Sequence, residues 1–314
     1  MSRSRAPNVE ANRAFGVVET PERPGPGPMP EPLLRALELS IGRRVDGLLA
    51  GDHRSNLLGR GSELAQIRPY VPGDDVRLID WNVTARTREA HVRVQLAERV
   101  LVTWIVLDRT LSMGFGTADR RKADVALGVG LALGHAATLR GNRVGLVSFG
   151  SGPVAPLPPT QGRAGLVGLL LALGDEDAGD GAAPELAPAI SLLGAVARQR
   201  SLVAVVSDFR GPRDWKPQLV DLAARHEVLA VEIRDPREQQ LVDVGEVWFA
   251  DPETGDRLRV DTGDAGLRER FAAAALVERR AVADELAAAR ASHVVLSTGG
   301  DWLRDLAAHL GRRR

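Results

Sequence analysis

From residue 101 onward, short β-rich apolar runs alternate with long Ala/Leu-rich stretches whose apolar positions recur at helical spacing. The runs predict strands at Leu101–Leu107, Arg143–Phe149, Leu202–Ser207, Val228–Ile233 and His293–Leu296, with a weaker edge strand near Val154. The intervening stretches predict helices at about 119–140, 163–173, 184–199, 215–225, 265–291 and 302–311. Continuous apolar strands separated by helices imply a buried, mostly parallel α/β sheet of six strands with helices on both faces. One segment breaks the rhythm. Val247–Ala250 and Arg257–Val260 flank the polar tip Asp251–Asp256, which reads as a β-hairpin inserted at about 244–262.

Ahead of this domain the texture differs. Six prolines alternate with other residues from Pro21 to Pro32, which forbids helix and predicts a disordered tail over residues 1–32. A helix is expected to begin near Leu33, with Leu34, Leu37 and Ile41 on its apolar face. The charged stretch that follows predicts a strand at Glu63–Arg68, a type II turn at Pro72-Gly73, a short helix at Val76–Asn82 capped by Asp74 or Asp75, and a strand at His91–Leu96. The expected division is therefore a tail (1–32), a small α+β segment (33–100) and the sheet domain (101–314).

Composition narrows the functional classes. The 41 basic and 41 acidic residues balance, so no net charge directs the chain to nucleic acid or an anionic membrane. The basic residues are almost all arginine, a bias of a GC-rich genome; only Lys122 and Lys216 are lysines. Cysteine is absent, which removes disulfides, thiolate metal sites and thiol nucleophiles. No apolar run approaches the ~18 residues of a membrane span, and no signal-peptide core follows the polar start, so a cytoplasmic protein is expected. The chain has no phosphate-binding Gly-x-x-x-x-Gly-Lys-Ser/Thr loop, no His-Glu-x-x-His and no Gly-x-Ser-x-Gly. Gly128, Gly130 and Gly134 imitate a glycine motif, but their mid-helix position points to close helix packing. The six histidines are scattered without metal-ligand spacing.

Two aspartates end apolar strands: Leu101–Leu107 runs into Asp108, and Ser201–Ser207 into Asp208. If these are the first and fourth strands of a 3-2-1-4-5-6 sheet, a ligand-binding crevice lies between them. Asp108-Arg109-Thr110-Leu111-Ser112 places one carboxylate and two hydroxyls at alternating positions of a tight loop. That donor set suits a hard cation such as Mg²⁺ or Mn²⁺, whose incomplete shell could accept a carboxylate from a partner protein.

The loop resembles the metal-ion-dependent adhesion site of the von Willebrand factor A superfamily. That site has an Asp-x-Ser-x-Ser loop after the first strand. Asp108, Thr110 and Ser112 match it, with Thr in place of the first Ser, and Asp208 matches the acidic residue after the fourth strand. The family's further Thr falls in Gly179–Glu185, where Ala182 or Ala183 stands instead, so the resemblance implies weak Mg²⁺ or Mn²⁺ binding.

A longer resemblance, over roughly residues 33–310, is to the domain of unknown function 58 family. It rests on Arg68-Pro-Tyr70-Val-Pro72-Gly73-Asp74-Asp75-Val-Arg77, Ile79-Asp80-Trp81-Asn82 and Thr84-Ala-Arg86, with Ser207-Asp208-Phe209 and the Asp251–Asp256 tip. Members often accompany MoxR-type AAA ATPases. The resemblance thus implies a non-enzymatic interaction module, with or without a divalent cation, that helps such an ATPase assemble or activate an unknown client protein. Many members carry N-terminal membrane helices; the sequence shows none, so membrane attachment is not carried over. Two other readings stand beside this one: a metal-dependent phosphoryl or ester hydrolase using Asp108 and Asp208, and a metal-free scaffold. The signature residues themselves read as an ion-pair and capping network with Trp81 as core, or as a partner surface anchored by Tyr70, Trp81 and arginines.

Overall fold

The computed structural model describes residues 25–51, 58–96, 101–139, 141–150, 154–174, 185–250 and 256–312. They divide into two compact units: Val45–Val100, and the residues up to Arg44 together with those from Leu101 onward. The division falls inside α1 (Glu31–Gly51), not before it as the sequence suggested. The reason is the helix's apolar face. Leu37 and Ile41 are fully buried, and Arg44 pairs with Glu227 at 2.8 Å, so the first part of α1 belongs to the larger unit.

The expected disordered tail is corrected for residues 25–32; residues 1–24 lie outside the described residues. The Gly25 N–H donates to Asp124 Oδ1 at 3.0 Å, and the Trp302 indole N–H donates to the Pro26 carbonyl at 2.9 Å. Alternating prolines do exclude helix up to Pro30, while Pro32 sits in the first turn of α1, where no backbone donor is needed; the extended stretch still offers groups that side chains can satisfy. A chain starting at Leu33 is therefore expected to melt below one starting at Gly25. Losing these bonds costs about 1–2 kcal/mol, or roughly 2–8 °C for a domain this size. Equal melting temperatures would show that the segment contributes nothing.

In the smaller unit, β1 (Leu58–Pro69) pairs antiparallel with β2 (His91–Leu96). The turn between them has Gly73 at φ +110°, and the Asp74 N–H donates to the Val71 carbonyl at 3.0 Å, as a type II turn requires. The helix expected at Val76–Asn82 is instead split. A 3₁₀ turn at Val76–Leu78 is capped by Asp75, and α2 (Trp81–Thr87) is capped by Asp80. Each carboxylate captures the amides just ahead of it, which breaks the backbone at the extended Ile79.

The larger unit carries the sheet. In chain order come β3 (Val102–Asp108), α3 (Lys122–Leu139), β4 (Arg143–Phe149), β5 (Ala155–Gln161), α4 (Gly162–Gly174), α5 (Leu186–Val196) and β6 (Leu202–Ser207). Then follow α6 (Lys216–Arg225), β7 (Glu227–Arg234), β8 (Glu246–Ala250), β9 (Arg257–Asp261), α7 (Ala265–Ala288), β10 (Ser292–Ser297) and α8 (Trp302–Gly311). The six-stranded sheet has the order β10-β7-β6-β3-β4-β5. Every pairing is parallel except that of β5, which runs antiparallel to β4. This is the six-stranded, mostly parallel α/β architecture expected.

Ile105, Val106, Val205, Val206 and Val231 are fully buried, which explains their unbroken apolar runs. Two glycines of α3 serve packing: a Cβ on Gly128 would meet the Trp302 ring at 2.4 Å, and one on Gly134 would meet Leu169 at 2.4 Å. Strands β8 and β9 form the expected separate hairpin, whose tip at residues 251–255 lies outside the described residues. Among the described residues, no helix is long and apolar enough to cross a membrane.

Candidate functional site at the carboxyl edge of the sheet

Strands β3 and β6 are neighbours, and the chain leaves them in opposite directions across the sheet. Their carboxyl ends therefore form the switch point at which open α/β sheets bind ligands. Asp108 ends β3 and Asp208 follows β6, so both expected carboxylates stand there, each buried.

The loop after β3 folds back on its own aspartate. Asp108 Oδ1 accepts the Thr110 N–H at 2.9 Å and the Thr110 hydroxyl at 2.7 Å. Its Oδ2 accepts the Ser207 hydroxyl from β6 at 2.5 Å. Ser112 donates to Asp208 Oδ2 at 3.0 Å, and the Thr110 and Ser112 hydroxyl oxygens lie 3.0 Å apart. All four residues expected at the site are thus brought together. Gly150, at φ +94°, lets the chain after β4 pass beneath this loop, since a Cβ there would lie 2.3 Å from the Thr110 nitrogen. Burial, followed by the charge of nearby Asp208, pushes the Asp108 carboxyl up to about 6 despite the donors from Ser207 and Thr110.

The backbone after Asp208 is strained. Phe209 sits at φ +53°, a region a bulky residue rarely adopts. It is fixed there by its N–H donating to Ser207 Oγ at 2.9 Å and by edge packing on Trp215, with ring centroids 5.6 Å apart. Such strain persists where the surroundings over-determine it, and it gathers at functional sites.

Three further residues complete the site, and sequence reasoning missed all of them. Lys122, at the start of α3, is fully buried; its Nζ donates to Asp208 Oδ2 at 2.6 Å and to Glu238 Oε1 at 2.7 Å. Glu238 Oε1 also takes the Arg210 guanidinium at 2.7 Å, and its Oε2 accepts the Asp235 N–H at 3.2 Å. Asp235, fully buried, gathers the Thr117 N–H and hydroxyl, the Arg237 N–H and the Thr298 hydroxyl. One polar network therefore ties together the loops that follow β3, β6, β7 and β10. The available signal was compositional: Lys122 is one of two lysines in a chain that otherwise uses arginine.

The family model for the protein of unknown function DUF58 matches residues 66–281. The chain belongs to the DUF58 family. An uncharacterized protein of Mycobacterium tuberculosis, Rv1480, is 40% identical over 282 residues, covering 90% of this chain and 89% of the relative. Mb1516 of Mycobacterium bovis, also uncharacterized, matches to the same extent. The crystal structure of the conserved hypothetical protein BatB from Bacteroides thetaiotaomicron aligns with 67% of this DUF58 chain and 97% of its own, at 14% identity and a TM-score of 0.41.

Within this DUF58 chain the donor set does not fit the divalent cation that the loop pattern suggested. The Asp208 oxygen shared with Ser112 already holds a buried ammonium group. Two unit charges ~4 Å apart interact by about 4 kcal/mol at an effective dielectric of 20, so Lys122 cancels roughly the attraction that the Asp208 carboxylate itself would offer a dication. Both loop hydroxyls are already spent on carboxylates. The Ala182 and Ala183 positions lie outside the described residues.

The DUF58 signature lies in the smaller unit, and most of its charges are satisfied internally. Asp74 accepts two bonds from Arg68, both at 2.7 Å, and these with the Val71 N–H hold its carboxyl below the usual range. Asp80 takes Arg93 at 2.8 Å and caps α2, and Thr84 accepts the His91 N–H at 3.0 Å. The expectation of Trp81 as core is corrected: it is 71% exposed. It is the first residue of α2, directly after the buried cap Asp80. Pro72, Arg77 and Arg86 are exposed and Tyr70 is half-buried.

Proposed function

We propose that this protein is a non-enzymatic interaction module that acts with a MoxR-type AAA ATPase on a client protein, and that the carboxyl edge of its sheet is the partner-facing surface. The observation that carries this reading is the cross-linked loop set at the switch point. Four loops are held by one buried polar network, while Leu111, between Thr110 and Ser112, is 51% exposed. Rigid loops that present an exposed apolar residue suit recognition of a protein surface. Hydrolysis is supported less well. Every carboxylate oxygen of Asp108 and Asp208 accepts a hydrogen bond from the chain itself, which leaves neither free as a general base.

Co-purification with the MoxR-type ATPase of the same organism tests the reading. Leu111→Glu and Ser112→Tyr are expected to cut recovery about tenfold, as loss of a hot-spot contact does, Leu111→Glu with unchanged melting temperature and Ser112→Tyr with a lower one because its bond to Asp208 is lost. If both variants bind normally while Tyr70→Ala or Arg77→Ala abolishes binding, the partner face belongs to the signature unit. Turnover of generic phosphoesters with Mg²⁺ or Mn²⁺, lost in Asp108→Ala, would replace the interaction reading with the hydrolase.

A further inference from the structure

We infer that Lys122 is the resident cation of this site, its ammonium group holding the Asp208 carboxylate that a divalent ion would need. Three observations carry it. First, the side chain is fully buried, and a buried ammonium group persists only when carboxylates compensate it; here Asp208 and Glu238 do so at 2.6 and 2.7 Å. Second, the charges of Asp208 and Glu238 are already met by Lys122 and by Arg210, which also binds Glu238, so a dication would compete with a resident ammonium group for Asp208. Third, the loop is built to deliver this group. The 3₁₀ turn at Leu111–Gly114 leads to Phe115, whose carbonyl accepts the Lys122 N–H at 2.9 Å and whose ring centroid lies 6.0 Å from Nζ.

Residue choice agrees. A compact ammonium with three rotatable donors can bridge two carboxylates and leave room for the Ser112 hydroxyl on the same Asp208 oxygen. A planar guanidinium would need a wider, flatter opening. Lysine is kept here in a chain in which arginine supplies nearly every other positive charge. The consequence is a site whose shape and charge do not depend on divalent-ion supply. This assignment concerns the site's own chemistry and stands whether or not the partner is an ATPase.

Mn²⁺ titrations of the full chain, followed by the electron paramagnetic resonance signal of free Mn²⁺ and by thermal melting, test it. Wild type is expected to show no saturable binding and no rise in melting temperature up to about 1 mM Mn²⁺, the range of weak oxygen-ligand sites. Lys122→Met is expected to melt lower than wild type, to gain saturable Mn²⁺ binding, and to recover melting temperature as Mn²⁺ is added. Adding Asp208→Asn to that variant should erase both gains. Saturable binding by wild type that Asp108→Asn or Asp208→Asn removes would overturn the inference, as would a folded Lys122→Met that gains none. If Lys122→Met does not fold, wild type decides alone. Broadening of the Thr110 and Ser112 amide resonances by Mn²⁺ below about 1 mM refutes the assignment, and their persistence supports it.

Discussion

Asp235→Ala is expected to destabilise the protein by about 3–5 kcal/mol, from the sum of lost donors and a lost cap. Asp235 is fully buried and receives four donors from three loops: the Thr117 N–H and hydroxyl, the Thr298 hydroxyl at 2.6 Å, and the Arg237 N–H at 2.9 Å. Alanine leaves the Thr117 amide without its acceptor. The two hydroxyls can rotate, so the loss falls short of four full desolvation penalties. The capping box with Glu238 also goes, which loosens the carboxylate that anchors Lys122. Urea denaturation of both proteins measures the difference, and a loss under about 1 kcal/mol would mean that the three loops are not held by this residue. Acid supplies an independent check. Burial alone would raise the Asp235 carboxyl, but the donors from Thr117, Thr298 and Arg237 outweigh it and hold it below the usual range. A depressed carboxylate stabilises the fold above its unfolded value near pH ~4 and loses that contribution as pH falls through the folded value. The gap between wild type and Asp235→Asn should therefore narrow only below about pH 4.

How much of this was legible beforehand follows from what a linear pattern can carry. The strands of the sheet announce themselves because both faces are covered, so Val102–Asp108 and Leu202–Ser207 are apolar without alternation. Asp108, Thr110 and Ser112 are local in sequence, and Asp208 is found by its place after an apolar run; the structure joins all four. Lys122 and Glu238 are a different matter. The contacts of Lys122 with Glu238 and with Asp208 span 116 and 86 positions, and no spacing rule encodes a pairing set by where α3 and the loop after β7 meet. The Pro-rich segment misled for a related reason. Proline alternation reports what the backbone cannot do, but not that Trp302 and Asp124 supply partners for it. In the signature, the helix boundary moved because Asp75 and Asp80 both cap, and the sequence offers no way to rank two good caps so close together.

Asp108→Asn is expected to raise stability at pH 8 by about 1–2 kcal/mol and to remove part of the protein's pH dependence. Burial and the charge of Asp208 push the Asp108 carboxyl up to about 6. A raised carboxylate favours the fold in its protonated form. That contribution is complete below the unfolded value near pH ~4 and is lost as pH rises through about 6, a total of up to about 3 kcal/mol. Asparagine keeps an oxygen for the Thr110 N–H and hydroxyl and presents an amide to Ser207, whose hydroxyl oxygen can accept it. Some of the gain is offset because Ser207 then loses the acceptor for its own proton, at about 1 kcal/mol. Guanidinium titrations at pH 5 and pH 8 distinguish the outcomes. The variant should match wild type at the lower pH and exceed it at the higher one. A variant that is less stable at pH 8 would show that the ionised carboxylate is a net structural asset. The expected sign carries a functional meaning, because a buried charge that weakens the fold at neutral pH is not explained by folding. The same edge holds Phe209 in a strained backbone conformation. Two such costs at one switch point, beside an exposed Leu111, are what the proposed partner-facing role of these loops would account for.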